Sequence, residues 1–134
     1  LLAPITAERP TLLIPEPGTF VYDDKTKFRV TIADGSKIIR EPHVCCLDAA
    51  LVHFPLTVRP TRAGDRFCPL GMKGTKLVSD YMTDRHKSLI EKRHQLVTCV
   101  PDGSIVWLVG QRPDNRYRVS PVTTGTLLIE LLLA

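Results

Sequence analysis

Glycines and basic residues are interleaved at high density between residues 59 and 87 of this sequence. Gly64, Gly71 and Gly74 punctuate this run. Because glycine has no Cβ atom, a backbone N–H beside it can approach an anion closely. Lysine and arginine add positive charge, and the planar guanidinium of arginine matches the oxygens of a phosphate. The pattern predicts a phosphate-binding loop, and a helix capped by Thr75 would add unpaired N–H groups at its start.

The positive charge of the chain is concentrated in the same stretch. Residues 1–58 carry six Lys/Arg and seven Asp/Glu, residues 59–93 carry nine against four, and residues 94–134 carry three of each. The net charges of these segments are therefore −1, +5 and 0, which gives the +4 of the whole chain. A focused basic stretch is typical of a surface that binds a polyanion. A solvated lysine-rich face would have the same composition, and charge alone leaves both interpretations open.

RNA is a polyanion that suits these groups. A-form helices are recognised through phosphates, 2′-hydroxyls and shape rather than through their major-groove edges. Backbone N–H groups, lysines and arginines provide that kind of recognition. The same composition would serve other anions, so the residues alone predict anion binding and not RNA.

Other candidate chemistry is weaker in this sequence. The cysteines at 45, 46, 68 and 99 form no C-x-x-C pair, and neither they nor the four histidines have the spacing of metal ligands, so no metal site is expected. A nucleophilic role for Cys68 beside Arg66 competes with the simpler interpretation of small packed thiols. Asp80 and Asp84 are more typical of a solvated helix face, paired with Lys76 and Lys87, than of a catalytic pair. No catalytic residue is expected.

Length and composition indicate one globular domain or slightly less than two small ones. The chain has 134 residues, 43% of them hydrophobic and 24% charged. Its 11 prolines and 8 glycines favour short elements with many turns. It starts without Met, which we interpret as a piece of a longer protein, and shows no signal peptide. Its longest apolar run, residues 127–134, is too short to span a bilayer.

The first half of the chain is predicted to form short strands. Residues 11–14, 19–22, 28–33, 44–47 and 56–59 are β-prone, and 28–33 alternates apolar and polar side chains with a period of two. The Asp34-Gly35 pair predicts a hairpin turn with residues 37–40 as the returning strand. Prolines at 42, 55 and 60 flank these segments, as expected at strand ends.

The second half adds two helices and further strands. Apolar residues at 77, 78, 81 and 82 have helical spacing, and Ser88–Glu91 matches a capping box, so a short helical hairpin is predicted. Tyr81 and Met82 are predicted core residues. Residues 96–100, 105–109, 116–119 and 127–133 are predicted strands, the last a central one, with Trp107 in the core. The fold class is α+β, with the short helical hairpin beside a β-rich layered domain.

Many separate segments of this chain resemble the C-terminal domain of tRNA(Ile)-lysidine synthetases. The resemblance covers residues 55–131 in order and spacing, whereas residues 1–54 match more loosely. Ala50 stands where that family usually carries a second acidic residue. The segments that carry the resemblance are Pro55–Arg59, Gly64–Phe67, Pro69–Met72, Lys76–Tyr81, Glu91–Arg93, Ile105–Gly110 and Arg116–Val119.

The resemblance implies a fold, an activity and a partner. The fold is a β-sandwich-like, mostly antiparallel domain with helices on one side, in which residues 1–54 form a β-rich segment of the same unit and 55–134 the tRNA-binding domain. The family's enzymes are ATP-dependent ligases that convert the wobble cytidine of tRNA(Ile) with a CAU anticodon to lysidine. ATP with magnesium and lysine bind in an N-terminal domain whose pyrophosphate loop does not occur here, so this chain is expected to bind no cofactor.

The expected partner is therefore tRNA(Ile), held on its acceptor-stem side, in the cytoplasm and away from membranes. An alternative is a protein-interaction module such as a homodimerisation domain, which an exposed edge strand at 127–133 would favour. Structural ion pairs with Asp65, Asp84 or Asp114 are the alternative role for some of the arginines. The candidate RNA-binding residues are Arg59, Arg62, Arg66, Lys73, Lys76, Arg85, Lys87, Arg93, Arg112, Arg116 and Arg118.

Overall fold

Two antiparallel sheets form the body of the protein in the computed structural model, which describes residues 10–134. The first sheet has the strand order β1-β5-β8-β9-β10 and the second the order β2-β3-β11-β4. A two-stranded ribbon pairs β6 with β7. The strands are β1 (Leu12–Ile14), β2 (Gly18–Val21), β3 (Thr26–Asp34), β4 (Val44–Asp48), β5 (Leu56–Pro60), β6 (Arg66–Phe67), β7 (Lys76–Leu77), β8 (Leu96–Cys99), β9 (Ile105–Leu108), β10 (Arg112–Pro113) and β11 (Gly125–Leu133).

The two sheets pack face to face around one apolar core. The period-two pattern of β3 places Phe28 and Val30 inside, and β11 contributes Leu127 and Ile129. Trp107 of β9 is fully buried among them and meets Phe28 edge to face, with ring centroids 6.4 Å apart. This arrangement confirms the predicted β-sandwich and the predicted core position of Trp107.

A third layer covers the outer face of the first sheet. It comprises the ribbon β6–β7 and the helices α1 (Val78–Asp84) and α2 (Leu89–His94), all of which lie between β5 and β8 in the chain. Its core joins the apolar side chains of this layer to the outward-facing residues of β8 and β9, with Phe67, Val78, Tyr81, Met82, Val97, Cys99, Ile105 and Leu108 as its members. Because β8 and β9 are covered on both faces, all their residues are buried.

The two helices begin in different ways. Ser88 and Glu91 form the predicted capping box at the start of α2. Thr75 does not cap α1, which contradicts the prediction. The chain first forms β7, the helix begins at Val78 without a side-chain cap, and the Thr75 hydroxyl instead accepts from Arg66 Nε at 3.1 Å.

Two predicted strands are wrong. Residues 37–40 do not return along β3: β11 occupies one edge of β3 along its whole length, and Lys37 N and Ile39 N instead donate to Thr126 and Cys46 of other strands of the sheet. Residues 116–119 contain no strand either. A 3₁₀ helix, Asn115–Tyr117, forms there because the Asp114 side chain accepts from Arg116 N at 2.8 Å and caps it.

Strands from before and after residue 55 share both sheets. β1 pairs with β5, and β11 lies between β3 and β4. The division of the chain at residues 54 and 55 stays a prediction, and residues 1–9 of its first segment lie outside the described residues. Within residues 10–134, every helix falls short of the length and apolar character that a membrane crossing requires.

Candidate nucleic-acid interface

Arg59 holds the turn that follows β5. Its guanidinium donates two hydrogen bonds to Asp65, at 3.0 and 2.9 Å, and the Arg62 backbone N–H donates to the same carboxylate at 2.7 Å. Burial raises the pKa of the Asp65 carboxyl, but the bonds from Arg59 and the Arg62 backbone outweigh it and hold this pKa below its ordinary value. The pairing fixes the turn and leaves the side chain of Arg62 exposed at its outside.

Arg66 and Lys76 lie on the two strands of the ribbon β6–β7, where Arg66 is paired with Leu77 and Lys76 with Phe67. Arg66 is exposed and pairs with the Thr75 hydroxyl, while Lys76 forms an ion pair with Asp84 of α1. The hydrogen bond from Lys76 lowers the pKa of Asp84. Lys76 therefore pairs with Asp84, whereas the sequence suggested Asp80 as the partner of Lys76 and Lys87 as the partner of Asp84. Neither cation is buried, so both remain accessible to a phosphate.

The loop from Cys68 to Gly74 is tied to the end of β10 by Asp114. This carboxylate is fully buried and accepts from Cys68 N at 2.8 Å and from the Arg116 guanidinium at 2.9 and 3.0 Å. Asn115 accepts from Gly71 N at 3.2 Å, and Gly71 has a φ of 86°, which glycine adopts readily. The loop is thus held in one shape, with Lys73 exposed near its tip.

Three arginines from the C-terminal third of the chain lie next to the same loop. Arg112 donates to Leu70 O at 3.1 Å, and Arg118 donates to Asn115 O at 2.9 Å. Arg116 keeps 46% of its side chain exposed although it pairs with Asp114. The structure therefore gathers these three predicted residues next to the loop, despite some 40 residues of intervening chain.

The helical hairpin carries the remaining cations. Arg85 stacks over the Tyr81 ring at 4.9 Å, and Lys87 lies 3.9 Å from Glu91. Arg93 lies in the last turn of α2, where cations also complement the helix dipole. Helix α2 buries none of its residues, so its position depends on few contacts.

Sequence reasoning missed three groups in this region. Arg40 lies outside the basic stretch, and only the folded chain brings it near Arg112 and Arg118 around one groove. Asn115 carries no charge, so nothing in the sequence singled it out. Asp114 was considered only as an ion-pair partner, although it also holds the loop. Within residues 10–134, no group of three or more His, Cys, Asp or Glu side chains could hold a metal ion.

Comparison with known proteins gives consistent results. The chain is 37% identical over 126 residues to a tRNA(Ile)-lysidine synthase of Parabacteroides distasonis, covering 93% of this chain and 28% of that protein. It is 38% identical over 96 residues to that of Bacteroides thetaiotaomicron, covering 72% of this chain and 22% of that one. The chain thus spans about a quarter of the length of these relatives. No family model matches it.

Two solved structures share the fold. A TILS C-terminal domain superposes with a TM-score of 0.75 at 18% identity, covering 92% of this chain and 98% of that one. An N-terminal fragment of the phenylalanyl-tRNA synthetase β-subunit from Pyrococcus horikoshii gives 0.62 at 11% identity, covering 78% of this chain and 38% of that one. In sequence and in fold, the chain resembles the C-terminal domain of tRNA(Ile)-lysidine synthases, as its motifs predict.

Proposed function

We propose that this chain is a tRNA-binding domain of an ATP-dependent ligase that converts the wobble cytidine of tRNA(Ile) with a CAU anticodon to lysidine. The domain holds the acceptor-stem side of the tRNA. The ligation itself, with ATP, magnesium and lysine, takes place in another domain of the same enzyme. Its place of action is the cytoplasm.

One observation carries this proposal. The excess positive charge of residues 59–93 does not scatter over the fold but lies at the end of β5 and in the layer of β6, β7, α1 and α2 on one side of the sandwich. Arg62, Arg66 and Lys73 are exposed in that layer. Arg66 lies on β6, and the turns of the other two are held by the Arg59–Asp65 ion pair and by the hydrogen bond from Gly71 N to Asn115. A rigid basic layer recognises the shape and phosphates of an RNA helix with little loss of entropy on binding.

The relatives support the choice of RNA over other anions. They are named for an enzyme of tRNA(Ile), and the chain matches about a quarter of their length. We therefore assign binding to this chain and place the ligase chemistry elsewhere in the protein.

The proposal is tested by titrating the chain with tRNA(Ile) (CAU) and with elongator tRNA(Met) at several salt concentrations. Each phosphate that the protein neutralises contributes a slope of about −0.7 to −0.9 in log affinity against log salt. We expect steep salt dependence and tighter binding of tRNA(Ile). Steep but equal binding of both would show that the domain binds the backbone and leaves discrimination to the rest of the enzyme. Absence of binding at low salt would refute the proposal.

Paired charge variants locate the surface. The double variant Arg62→Gln, Lys73→Gln and the control Lys27→Gln, Arg29→Gln each remove two exposed cations. The control residues lie on β3 of the second sheet, away from the basic layer. We expect the first pair to weaken tRNA binding and to reduce the salt slope by about 2. Equal effects of both pairs would contradict a localised surface.

Single variants of the ribbon complete the test. Arg66→Ala and Lys76→Ala should each weaken tRNA binding with little change in stability, because both side chains are at most partly buried and their polar contacts lie at the surface. Unchanged affinity in both variants would exclude the ribbon from the interface.

The alternative of a dimerisation module receives no support from the C-terminal strand. It would have been favoured by an exposed edge at residues 127–133, but β11 lies between two strands: β3 pairs with its whole length and β4 with Thr126–Glu130. The strand at the edge of the second sheet, next to β11, is β4.

A further inference from the structure

A groove with a volume of about 700 Å³ opens where the edges of the two sheets meet. One wall is the segment between β3 and β4, with Ile38 and Ile39. The opposite wall is formed by Leu70 of the basic loop, as we call the loop from Cys68 to Gly74, and by several residues between positions 111 and 119. Its size falls within the range of roughly 300–1,000 Å³ typical of sites for small organic molecules.

The segment that forms the first wall crosses the outer face of the second sheet. Lys37 N donates to the Thr126 hydroxyl at 2.9 Å, and Ile39 N donates to Cys46 Sγ at 3.3 Å. These anchors hold the backbone while the side chains stay accessible, with 55% of Ile38 and 37% of Ile39 exposed. Exposed isoleucines in an anchored segment provide an apolar surface that is already in place for a ligand.

The rim of the groove is positively charged. Arg40, Arg112 and Arg118 line it against the single carboxylate of Glu41. Arg112 and Arg118 each donate one hydrogen bond to a backbone carbonyl, which orients the guanidinium and leaves further N–H donors on it. An apolar wall with several arginines beside it is complementary to a ligand that combines an apolar part with negative charge.

We propose that this groove binds one or two unpaired nucleotides of the bound RNA, with a base against the isoleucine wall and the phosphates on the arginines. This inference rests on the proposed RNA-binding function and adds a single-strand subsite to it. Paired bases within an A-form helix do not present their faces, so only an unpaired base can enter the groove.

The position of the groove favours RNA over an acidic, apolar peptide of similar charge. Leu70 and Gly71 belong to the same loop that presents Lys73, so an RNA on the basic layer lies next to the groove. Asn115 also lines it, and its side-chain oxygen accepts from Gly71 N. The amide nitrogen of Asn115 is therefore the end that can donate to a base edge.

The test compares three RNA hairpins of identical stem by fluorescence anisotropy: one blunt, one with four unpaired uridines at the 3′ end and one with them at the 5′ end. We expect one overhang to tighten binding about fivefold to tenfold, the lower part of the range for a base stacked on an aromatic ring, because isoleucine offers apolar contact without a π face. Ile38→Ser should abolish this gain and leave the affinity for the blunt hairpin unchanged.

Ile32→Ser is the matched control. Ile32 is 53% exposed, close to the value for Ile38, but it lies on β3 and does not line the groove. The gain from the overhang should persist in this variant, and thermal unfolding of both variants should show that they fold. Arg118→Gln should reduce the gain as Ile38→Ser does, because the phosphate loses its partner.

The outcomes separate this inference from the proposed function. Salt-dependent binding of all three hairpins with equal affinity would overturn the single-strand subsite and leave RNA binding intact. Loss of binding to every hairpin would overturn both. If the overhangs give no gain but a peptide of alternating leucines and glutamates binds the chain and loses affinity in Ile38→Ser, the groove is a peptide site and the inference is wrong.

Discussion

Replacing Asp114 with alanine tests whether the basic loop is held from beneath by one buried carboxylate. Asp114 has no exposed side-chain surface, and it accepts from Cys68 N, Arg116 N and the Arg116 guanidinium. Without it, the buried Cys68 N–H has no acceptor, which costs about 1–3 kcal/mol. The Arg116 guanidinium is 46% exposed and regains water, so the lost ion pair adds only about 0–1 kcal/mol.

The free energy of unfolding should therefore fall by about 2–4 kcal/mol in Asp114→Ala, since the lost 3₁₀ cap adds to these terms. For a domain of this size the melting temperature falls by roughly 8–16 °C. Urea unfolding measures the free energy. Asp102→Ala is the control, because Asp102 accepts from Ser104 N in an exposed turn. A loss below about 0.5 kcal/mol in Asp114→Ala would refute this account of the loop.

For RNA binding, we expect Asp114→Ala to have the opposite effect to the one that its change in charge predicts. Removal of a carboxylate from a basic surface normally strengthens the binding of a polyanion, because repulsion is reduced. Asp114→Ala should instead weaken tRNA binding at a temperature where the variant is folded, since Lys73 and the loop lose their fixed position. Stronger binding in this variant would show that the loop needs no such support.

Two further predictions concern local interactions. The pKa of Asp65 is lower in the folded protein than its unfolded value of about 3.9. This carboxylate therefore stabilises the protein above that pH, and its contribution is lost as pH falls through the folded pKa. The difference in unfolding free energy between the protein and Asp65→Asn should shrink below about pH 4, and a constant difference would contradict the prediction. Ser88→Ala should destabilise α2 by about 1 kcal/mol and speed amide exchange in that helix. The melting temperature of the protein should stay unchanged, because α2 buries no residue. Ser88→Thr keeps a capping hydroxyl and is the control.

Local signals in the sequence predict the elements whose causes are local. The alternation of β3, the capping box of α2 and the helical spacing of Tyr81 and Met82 each depend on a few neighbouring residues, and the structure confirms all three. The continuous apolar character of β8 and β9 is also explained once both faces are seen to be covered.

The errors arise where distant residues decide the structure. The Asp34-Gly35 pair favours a hairpin, but β11, from the other end of the chain, pairs with all of β3, and residues 37–40 are held by bonds to Thr126 and Cys46 instead. Thr75 has the chemistry of a helix cap, but β7 separates it from α1, and its hydroxyl accepts from Arg66 of the neighbouring strand. Such competition between partners cannot be predicted from neighbouring residues.

The candidate interface shows the same division. Sequence selected the cations by type and spacing. It gave ion pairs with Asp65, Asp84 or Asp114 as the alternative role of four arginines, without assigning the pairs. The structure pairs Arg59 with a mostly buried Asp65 and Arg116 with a fully buried Asp114. Arg59 is itself mostly buried, so its role is to hold the turn that presents Arg62, and a contact from Arg59 to RNA stays a prediction.

The basic layer combines two kinds of support, and this difference should shape how it binds. The loop at Lys73 is fixed by Asp114 and Asn115 and stands against strands that are buried on both faces. Helix α2 carries Arg93 but contributes nothing to the core, so it can move at little cost. A fixed loop can set the register of an RNA helix, while a mobile helix can follow the backbone of different sequences. Discrimination between tRNAs should therefore depend more on the loop and its groove than on α2.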